Sequence, residues 1–265
     1  MRMLGTAILV LVVVAALGAR ALPFDPVQLD LSQALDPPTW SHPLGTDELG
    51  RDLLTRIVYG ARTSLGIALG AVCLAALAGA SFGVLSGYAG GRVDAAVMQA
   101  VNVVLSFPAV LMALLLVALV GQGVTNLMVA IGLQAVPGYI RLVRGLVLSV
   151  RGLEYVEAAR AVGCRPVRIA TLHIVPNVLG PMAVQSTFLV AAAVQLTSGL
   201  SFLGIGVPPT MPSLGSMVRI GNEFLFSGDW WISVVPGAVL VLLSLAVNLL
   251  GDWLRDALNP RLGNG

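Results

Sequence analysis

Long runs of apolar residues, separated by short polar segments, make up most of this chain. Six runs, at 3–19, 63–88, 95–120, 126–143, 178–203 and 231–250, are each near the ~20 residues that a bilayer-crossing helix needs. None of them alternates apolar and polar residues as the strands of a membrane barrel do. In lipid, only helices and closed barrels satisfy the polar groups of the backbone. The pattern therefore predicts an all-α, polytopic membrane protein of about six transmembrane helices, folded as one domain over 1–265.

The composition excludes a water-soluble domain. Hydrophobic residues account for 57% of the 265 residues and charged residues for 11%, and the mean hydropathy is +0.91. Soluble domains carry about 25% charged residues, so this chain has too few to cover a surface that faces water. The two cysteines, Cys73 and Cys164, lie in an apolar run and in a charged stretch, which predicts neither a disulfide nor a metal site. No feature of the sequence indicates binding to nucleic acid.

The first apolar run allows two interpretations. A basic residue, the apolar stretch and the small residues around Arg20 imitate a signal peptide with its cleavage site. Multi-span membrane proteins usually keep their first helix as an uncleaved anchor. We therefore expect an anchor.

The basic residues predict the orientation in the membrane. All 15 of them are arginines. With the N-terminus inside, ten fall on inner segments and five on outer ones, as the positive-inside rule requires. Both termini, the segment 144–177 and the tail 251–265 are then cytoplasmic. The acid-rich segment 22–61 and the loop 206–229 lie on the outer side.

The inner segment concentrates charge and is predicted to fold into two short helices. Residues 154–162 favour a helix that ends at Gly163, which suits the left-handed position after a helix C-terminus. Pro166 suits the first turn of a second short helix. Pro176 is predicted to end that helix before the next span.

One face of the first short helix carries little side chain. Ala158, Ala159 and Gly163 leave room for another backbone to approach, and Glu157 and Arg160 offer charged contacts beside them. A partner protein could dock on such a surface. A solvated loop with positive-inside arginines and no partner explains the same residues equally well.

The sequence EAARAVG, followed by HIVPN, resembles the EAA loop of permease subunits in bacterial binding-protein-dependent ABC importers. The residues that match the family pattern are Glu157, Ala158, Ala159, Gly163, Val175 and Pro176. Val175 stands where Leu is more usual. The match favours a docking surface over a solvated loop.

Four further segments are similar to the dipeptide/oligopeptide/nickel group of these permeases, and to its C-type subunit. They lie at 42–65, 87–108, 203–217 and 248–262, so the resemblance covers nearly all of the chain from His42 onward. Three residues depart from the pattern of the group. Asn102 and Asn259 stand where Asp is usual, and Leu214 stands where Trp is usual.

The resemblance implies a type I ABC importer permease fold in the bacterial inner membrane. It implies as partners a second homologous permease, two cytoplasmic ATPases that bind ATP and Mg, and an extracytoplasmic substrate-binding protein, besides membrane lipid. The ATPase-coupling residues that it implies are Glu157, Ala158, Ala159, Arg160, Gly163 and Pro176. Short peptides are the leading substrate, and nickel, haem or glycosidic solutes are the alternatives.

The chain itself is expected to be non-catalytic and to bind no cofactor or metal. It lacks the G-x-x-x-x-G-K-[ST] phosphate loop of an ATPase. His42 and His173 lie on opposite predicted sides of the membrane and cannot share a metal. Asp47, Glu48 and Asp52 fit a capped amphipathic surface helix better than an outer metal site, because carboxylates are favoured near a helix start.

A self-sufficient channel, a secondary carrier or a membrane enzyme forms the other class of function. Ion-coupled carriers usually hold carboxylates within the membrane, and the apolar runs of this chain contain no carboxylate. The sequence therefore favours a subunit that depends on partner ATPases.

The substrate path and the helix kinks are predicted from polar and helix-breaking residues. One side of the fifth apolar run is expected to line the path, at Thr187, Thr197, Ser198 and Ser201. Hydroxyls in such a helix also serve as polar contacts between helices. Kinks are expected at Pro108, and at Pro137 with Gly138.

Overall fold

The computed structural model describes residues 24–208 and 210–257. Regular structure in these residues is helical, apart from one isolated β-bridge between Thr46 and Asp52. A 3₁₀ turn at Leu31–Gln33 precedes the first long helix, and a π-helical turn at Ala170–Ile174 joins the helices that end at Ile169 and begin at Val175. The helices are α1 Leu53–Ala89, α2 Gly91–Leu105, α3 Ala109–Val120, α4 Val124–Val150, α5 Glu154–Ala161, α6 Pro166–Ile169, α7 Val175–Phe202, α8 Leu214–Asn222 and α9 Trp231–Ala257. The predicted all-α class is confirmed, and the predicted first span, 3–19, lies outside the described residues.

Four continuous helices in the described part are long and apolar enough to cross a membrane. They are α1, α4, α9 and the helix Pro166–Phe202, which contains α6 and α7. All four extend beyond the predicted spans: α1 starts at Leu53, α4 continues to Val150, the helix that contains α7 starts at Pro166, and α9 continues to Ala257. The segments predicted as 22–61 and 144–177 therefore include helical turns of these spans.

The third predicted span, 95–120, is broken in the middle. α2 and α3 are bent by 92° relative to each other at the break between them. Proline explains the break, because it has no N–H and disfavours the helical conformation of the residue before it. Pro108 has a ψ of 132° and stands as the N-cap of α3. Pro137, in contrast, lies inside the continuous α4.

The prediction that Pro176 ends the second short helix is wrong. The chain stays helical from Pro166 to Phe202, and Pro176 lies in the first turn of α7, directly after the π-helical turn. A π turn bonds each residue to the fifth one along instead of the fourth. This change of register accommodates a residue that has no N–H and whose ring would clash with the carbonyl four residues earlier.

α1 and α4 pack with their backbones in close approach. Three glycines at four-residue spacing on α1, Gly79, Gly83 and Gly87, lie against α4. A Cβ added at these glycines would lie 2.2, 2.7 and 2.8 Å from the Cβ atoms of Tyr139, Val143 and Val147, respectively, so a larger residue would clash. Small residues let membrane helices associate at such short distances. α1 and α4 therefore form a tightly packed pair.

The segment before α1 is a compact irregular structure and not the predicted amphipathic surface helix. The carboxylate of Asp47 accepts a hydrogen bond from Arg51 Nε at 2.7 Å and lies 3.1 Å from Arg56 Nε. All three residues are buried. Asp52 is the N-cap of α1, and its Oδ2 accepts from the N–H of Thr55 at 2.8 Å. Buried charges need partners, and this mutual pairing explains why Asp47 lies inside rather than on a surface.

Two more side chains complete this network, which lies in the predicted outer segment 22–61 and is called the outer network below. Glu48 accepts a hydrogen bond from Arg51 Nη2 at 2.8 Å, and His42 Nδ1 lies 2.9 Å from Asp52 Oδ1. Burial, together with the nearby charge of Asp47, raises the pKa of Glu48. The described residues include no group of three His, Cys, Asp or Glu side chains that could hold a metal ion. These pairings indicate that residues 42–51, at the start of the segment 42–65 that resembles the permease group, stabilise the fold.

The outer network and the arginine-rich segment that contains α5 lie at opposite ends of the helices. Gly45, beside the network, approaches Trp231 at the start of α9, and a Cβ there would lie 2.8 Å from the indole Nε1. At the other end, Arg151 follows α4 and donates a hydrogen bond to the carbonyl of Gly87 near the end of α1. α5 begins three residues after Arg151. The helices thus separate the two charged regions.

Candidate functional site

α5 carries most of the predicted coupling residues and is anchored by one buried side chain. Val156 is fully buried, whereas Glu157, Ala158 and Arg160 are exposed. Ala159 is half-buried and packs against the hydrophobic core of its own chain. The small side chain of Ala159 therefore lets α5 pack onto the bundle, instead of facing outward as the sequence suggested.

The C-terminus of α5 is closed by a pair of hydrogen bonds around Gly163. Gly163 has a φ of +81°, and its N–H donates to the carbonyl of Arg160 at 3.0 Å. The N–H of Cys164 donates to the carbonyl of Ala159 at 3.1 Å. This pattern is a Schellman motif, which requires a left-handed residue at this position. No atom lies within 4 Å of a Cβ added at Gly163, so the φ angle and not a lack of space demands glycine.

One face of α5 is exposed and combines an acid with apolar side chains. This face, called the docking face below, lies on one side of the helix, as its helical spacings require. It consists of Glu157, Ala158, Ala161 and the C-cap residue Val162. Val162 is 80% exposed, and Val167, just after the Gly163 turn, is 74% exposed. Apolar side chains so exposed on a short helix outside the long spans are suited to contact with another protein.

Arginines and a glutamate surround an open concavity beside α5. It has a volume of about 510 Å³ and is lined by Tyr88, Arg151, Gly152, Glu157 and Arg160. At one edge of the concavity, Arg151 Nη1 donates a hydrogen bond of 2.7 Å to the carbonyl of Gly87. α5 is thus separated from the end of α1 by open space.

Polar contacts also tie α5 to the helix that follows it. The hydroxyl of Tyr155 donates to the carbonyl of His173 at 3.3 Å. Asn177 Nδ2 donates to that carbonyl at 2.7 Å and to the Tyr155 hydroxyl at 3.1 Å. Pro176 is exposed between these residues. Its position supports a role in shaping the start of α7.

The hydroxyls predicted to line the substrate path lie inside helix–helix interfaces. Thr197, Ser198 and Ser201 are 1%, 3% and 3% exposed, and their hydroxyls have no hydrogen-bond partner in the described structure. Thr187 is half-buried, donates to the carbonyl of Val184 at 2.7 Å and packs against Gly251 of α9. In this chain Thr197, Ser198 and Ser201 offer no open surface. The one hydrogen bond among the four hydroxyls, that of Thr187, lies within its own helix and not between helices.

A polar, small-residue face on α4 is the feature that the sequence reasoning missed. Gln134, Gly138, Arg141, Gly145 and Ser149 recur at helical spacing, and all but the half-buried Gln134 are exposed. No atom lies within 4 Å of a Cβ added at Gly138 or Gly145. The helical spacing of these residues is visible in the sequence. The patterns in the sequence, however, predict only a kink at Gly138 and a topological charge at Arg141.

Arg141 on this face has a neutral partner. Its Nη2 donates to Asn102 Oδ1 at 3.1 Å, and no carboxylate of the described residues pairs with it. An ionisable residue within a membrane helix usually faces a bundle interior or a water-filled cavity. Asn102, which departs from the group's pattern, therefore leaves Arg141 with a neutral partner among the residues that the structure describes. Of the other departures, Leu214 is fully buried at the start of α8, and Asn259 lies outside the described residues.

Known proteins share this architecture and sequence. A family profile described as "Binding-protein-dependent transport system inner membrane component" matches residues 79–264. The di/tripeptide transport system permease protein DppC of Pseudomonas aeruginosa is 37% identical, over 98% of this chain and 88% of that protein. The dipeptide transport system permease protein DppC of Bacillus subtilis is 39% identical, over 96% of this chain and 80% of that protein. A chain from inward-facing structures of the MetNI methionine ABC transporter matches with a TM-score of 0.62 at 19% identity, over 77% of this chain and 96% of that chain.

Proposed function

Since this chain belongs to the family of binding-protein-dependent transport system inner membrane components, we propose that it is a permease subunit for the import of dipeptides or oligopeptides. The observation that carries the substrate class is the 37% identity, over 98% of the chain, to a di/tripeptide permease. The chain is a multi-pass membrane component and not the subunit that hydrolyses ATP.

The proposed complex contains a second homologous permease, two ATPases that bind ATP and Mg, and an extracytoplasmic binding protein. The exposed docking face of α5 supports an ATPase as the partner at that end. Leucines at four-residue spacing on α3, Leu111, Leu115 and Leu119, are more than half exposed and suit contact with the second permease or with lipid. Trp40 and Phe226 are almost wholly exposed at the other end and suit contact with the binding protein.

Transport by the reconstituted complex tests the proposed function. With all five proteins in proteoliposomes, we expect uptake of a radiolabelled dipeptide that needs both ATP and the binding protein. Nickel ions, haem and a glycosidic solute, each offered in place of the peptide, should not accumulate. Accumulation of one of these solutes without peptide uptake would reassign the substrate, and peptide uptake without the ATPases would indicate a self-sufficient carrier.

We place α5 and the concavity beside it in the cytoplasm, and the outer network outside. The excess of arginine on the α5 side supports this orientation through the positive-inside rule. We further propose that the substrate path follows the polar face of α4, because Gln134, Arg141 and the bare backbone at Gly138 suit water and polar peptides. The guanidinium of Arg141 is suited to a peptide carboxylate.

Single cysteines in a background without Cys73 and Cys164 test the orientation and the path together. We expect a cysteine at the exposed Trp40 to react with a membrane-impermeant maleimide from outside, and one at Ser149 to react only in opened vesicles. A cysteine at Gly138 should react and be protected by dipeptide. A cysteine at Thr197, which is 1% exposed, is the matched control and should stay unreactive.

Two outcomes of this labelling would contradict the proposals. Reaction of both end positions from outside intact cells would overturn the orientation. Reaction and protection at Thr197, with none at Gly138, would return the path to the hydroxyl side of α7.

A further inference from the structure

We propose that Asp94 and Arg144 are a positioning pair through which movement of α5 is carried to the broken helix α2–α3. The inference rests on the proposed function, in which α5 contacts the ATPase. It concerns contacts within this chain that lie away from the docking face.

The pair joins the first turn of α2 to the last third of α4 with two parallel hydrogen bonds. Arg144 Nε donates to Asp94 Oδ1 at 2.5 Å, and Arg144 Nη2 donates to Asp94 Oδ2 at 2.6 Å. The hydroxyl of Ser86, on α1, also donates to Asp94 Oδ1. Bidentate hydrogen bonds between an arginine and a carboxylate fix the relative orientation of the two side chains as well as their distance. Asp94 therefore links α2 to the α1–α4 pair.

A second arginine places α5 in the same linkage. Arg151 follows α4 and holds the carbonyl of Gly87 at 2.7 Å, and α5 starts three residues later. The open concavity separates α5 from Tyr88, so α5 reaches the α1–α2 turn through the two arginines at the end of α4. A pull on α5 therefore reaches Asp94 through α4, alongside the contacts of Tyr155 that tie α5 to the start of α7.

Besides this pair, α2 is held mainly by the hydrogen bond from Arg141 to Asn102 and by one buried residue. Val101 is the one buried residue of α2. An apolar groove of about 480 Å³ separates α2 from parts of α1 and α4, between residues such as Val97, Phe82 and Ile140.

The two ends of α2 also permit movement. Gly90 and Gly91, at its start, both have positive φ angles, of 66° and 54°. Its other end is the 92° bend before α3. A segment that is loosely packed and jointed at both ends takes its position from its strongest contact, which here is the pair Asp94–Arg144.

Substitution of either partner should change coupling more than assembly. Asp94 and Arg144 are 19% and 28% exposed at their side chains, so water can solvate the partner that remains. For Asp94→Asn and for Arg144→Gln we expect normal co-purification and basal ATP hydrolysis. Peptide transported per ATP hydrolysed should fall by about fivefold, within the range that substitutions along a coupling network produce.

The double variant distinguishes a pair from two independent residues. If the two act through each other, Asp94→Asn with Arg144→Gln should couple no worse than either single variant. Arg92→Gln, which removes an exposed arginine from the same turn, is the matched control and should couple as the wild type does. A merely structural role would lower transport and ATP hydrolysis together and leave their ratio unchanged.

The failure of this inference can be told from failure of the proposed function. If the wild-type complex does not import dipeptide with ATP, the proposed function fails. If the wild type does import dipeptide, but the single variants keep its transport-to-hydrolysis ratio or their effects add in the double variant, the positioning pair alone is refuted.

Discussion

Replacing Gly163 by valine will uncouple the transporter while leaving the chain in the membrane. The native φ of +81° is disfavoured for any residue with a Cβ, by about 1–2 kcal/mol, and more so when the side chain is β-branched. Relief of this strain would break the hydrogen bonds from Gly163 to Arg160 and from Cys164 to Ala159, and so unwind the end of α5. We expect substrate-stimulated ATP hydrolysis to fall by about tenfold, in proportion to the lost population of the native turn.

A second glycine in the same loop provides the control for this prediction. Gly152 has no atom within 4 Å of an added Cβ and does not have a left-handed φ. Gly152→Val should therefore change substrate-stimulated hydrolysis little, whereas Gly163→Ala should fall between the wild type and Gly163→Val. Membrane insertion and co-purification are measured for each variant. Wild-type coupling by a normally inserted Gly163→Val would show that α5 is not the coupling element.

The long spans could be predicted from sequence because the bilayer imposes both their length and their apolar character. The break at Pro108 shows the limit of this reasoning. Both Pro108 and Pro137 lie in apolar runs, but one ends a helix and the other lies inside a continuous one. The local sequence gives each proline the same steric effect, and packing around it decides whether the helix continues. Pro137 is buried within α4, next to the tight contact with α1.

The sequence could not predict which side of a helix lines the substrate path. Periodicity shows which residues share a side, but not what that side contacts. Thr197, Ser198 and Ser201 do share one side of α7, as expected, but that side packs against other helices. Close backbone contacts take up this surface: a Cβ at Gly215 of α8 would lie 2.1 Å from the carbonyl oxygen of Ser198. Such contacts between distant segments depend on tertiary structure that no local pattern contains.

The count of charges along the chain predicts on which side of the membrane the arginines lie, but not which groups they bind. The positive-inside rule treats Arg144 and Arg151 as equivalent topological charges. In the structure Arg144 binds a carboxylate on α2, whereas Arg151 binds a backbone carbonyl of α1. The same limit applies to the predicted outer segment, where the sequence predicts Asp47 to be a surface acid but the structure shows a buried ion-pair partner.

Replacing Asp47 by asparagine will destabilise the folded chain more than any substitution of an exposed acid in the outer segment. The change keeps the shape of the side chain but removes the charge that lies against Arg51 and Arg56, both of which are buried. Removing one partner of a buried ion pair costs about 3 kcal/mol, because the remaining charge is left uncompensated; here that charge is Arg56, since Arg51 keeps its contact with Glu48. We expect a lower midpoint of thermal unfolding for the purified complex, and a reduced yield of folded chain.

Asp36 supplies the matched control, because it belongs to the same segment but its carboxylate is exposed and makes no hydrogen bond or ion pair in the described structure. Asp36→Asn should unfold at the wild-type temperature. The alternative is that Asp47 serves delivery of substrate by the binding protein, and it predicts the opposite result. In that case Asp47→Asn would be as stable as the wild type and would lose only transport that depends on the binding protein. Since Asp47 is 3% exposed, it has almost no surface to offer such a partner, and we expect the loss of stability.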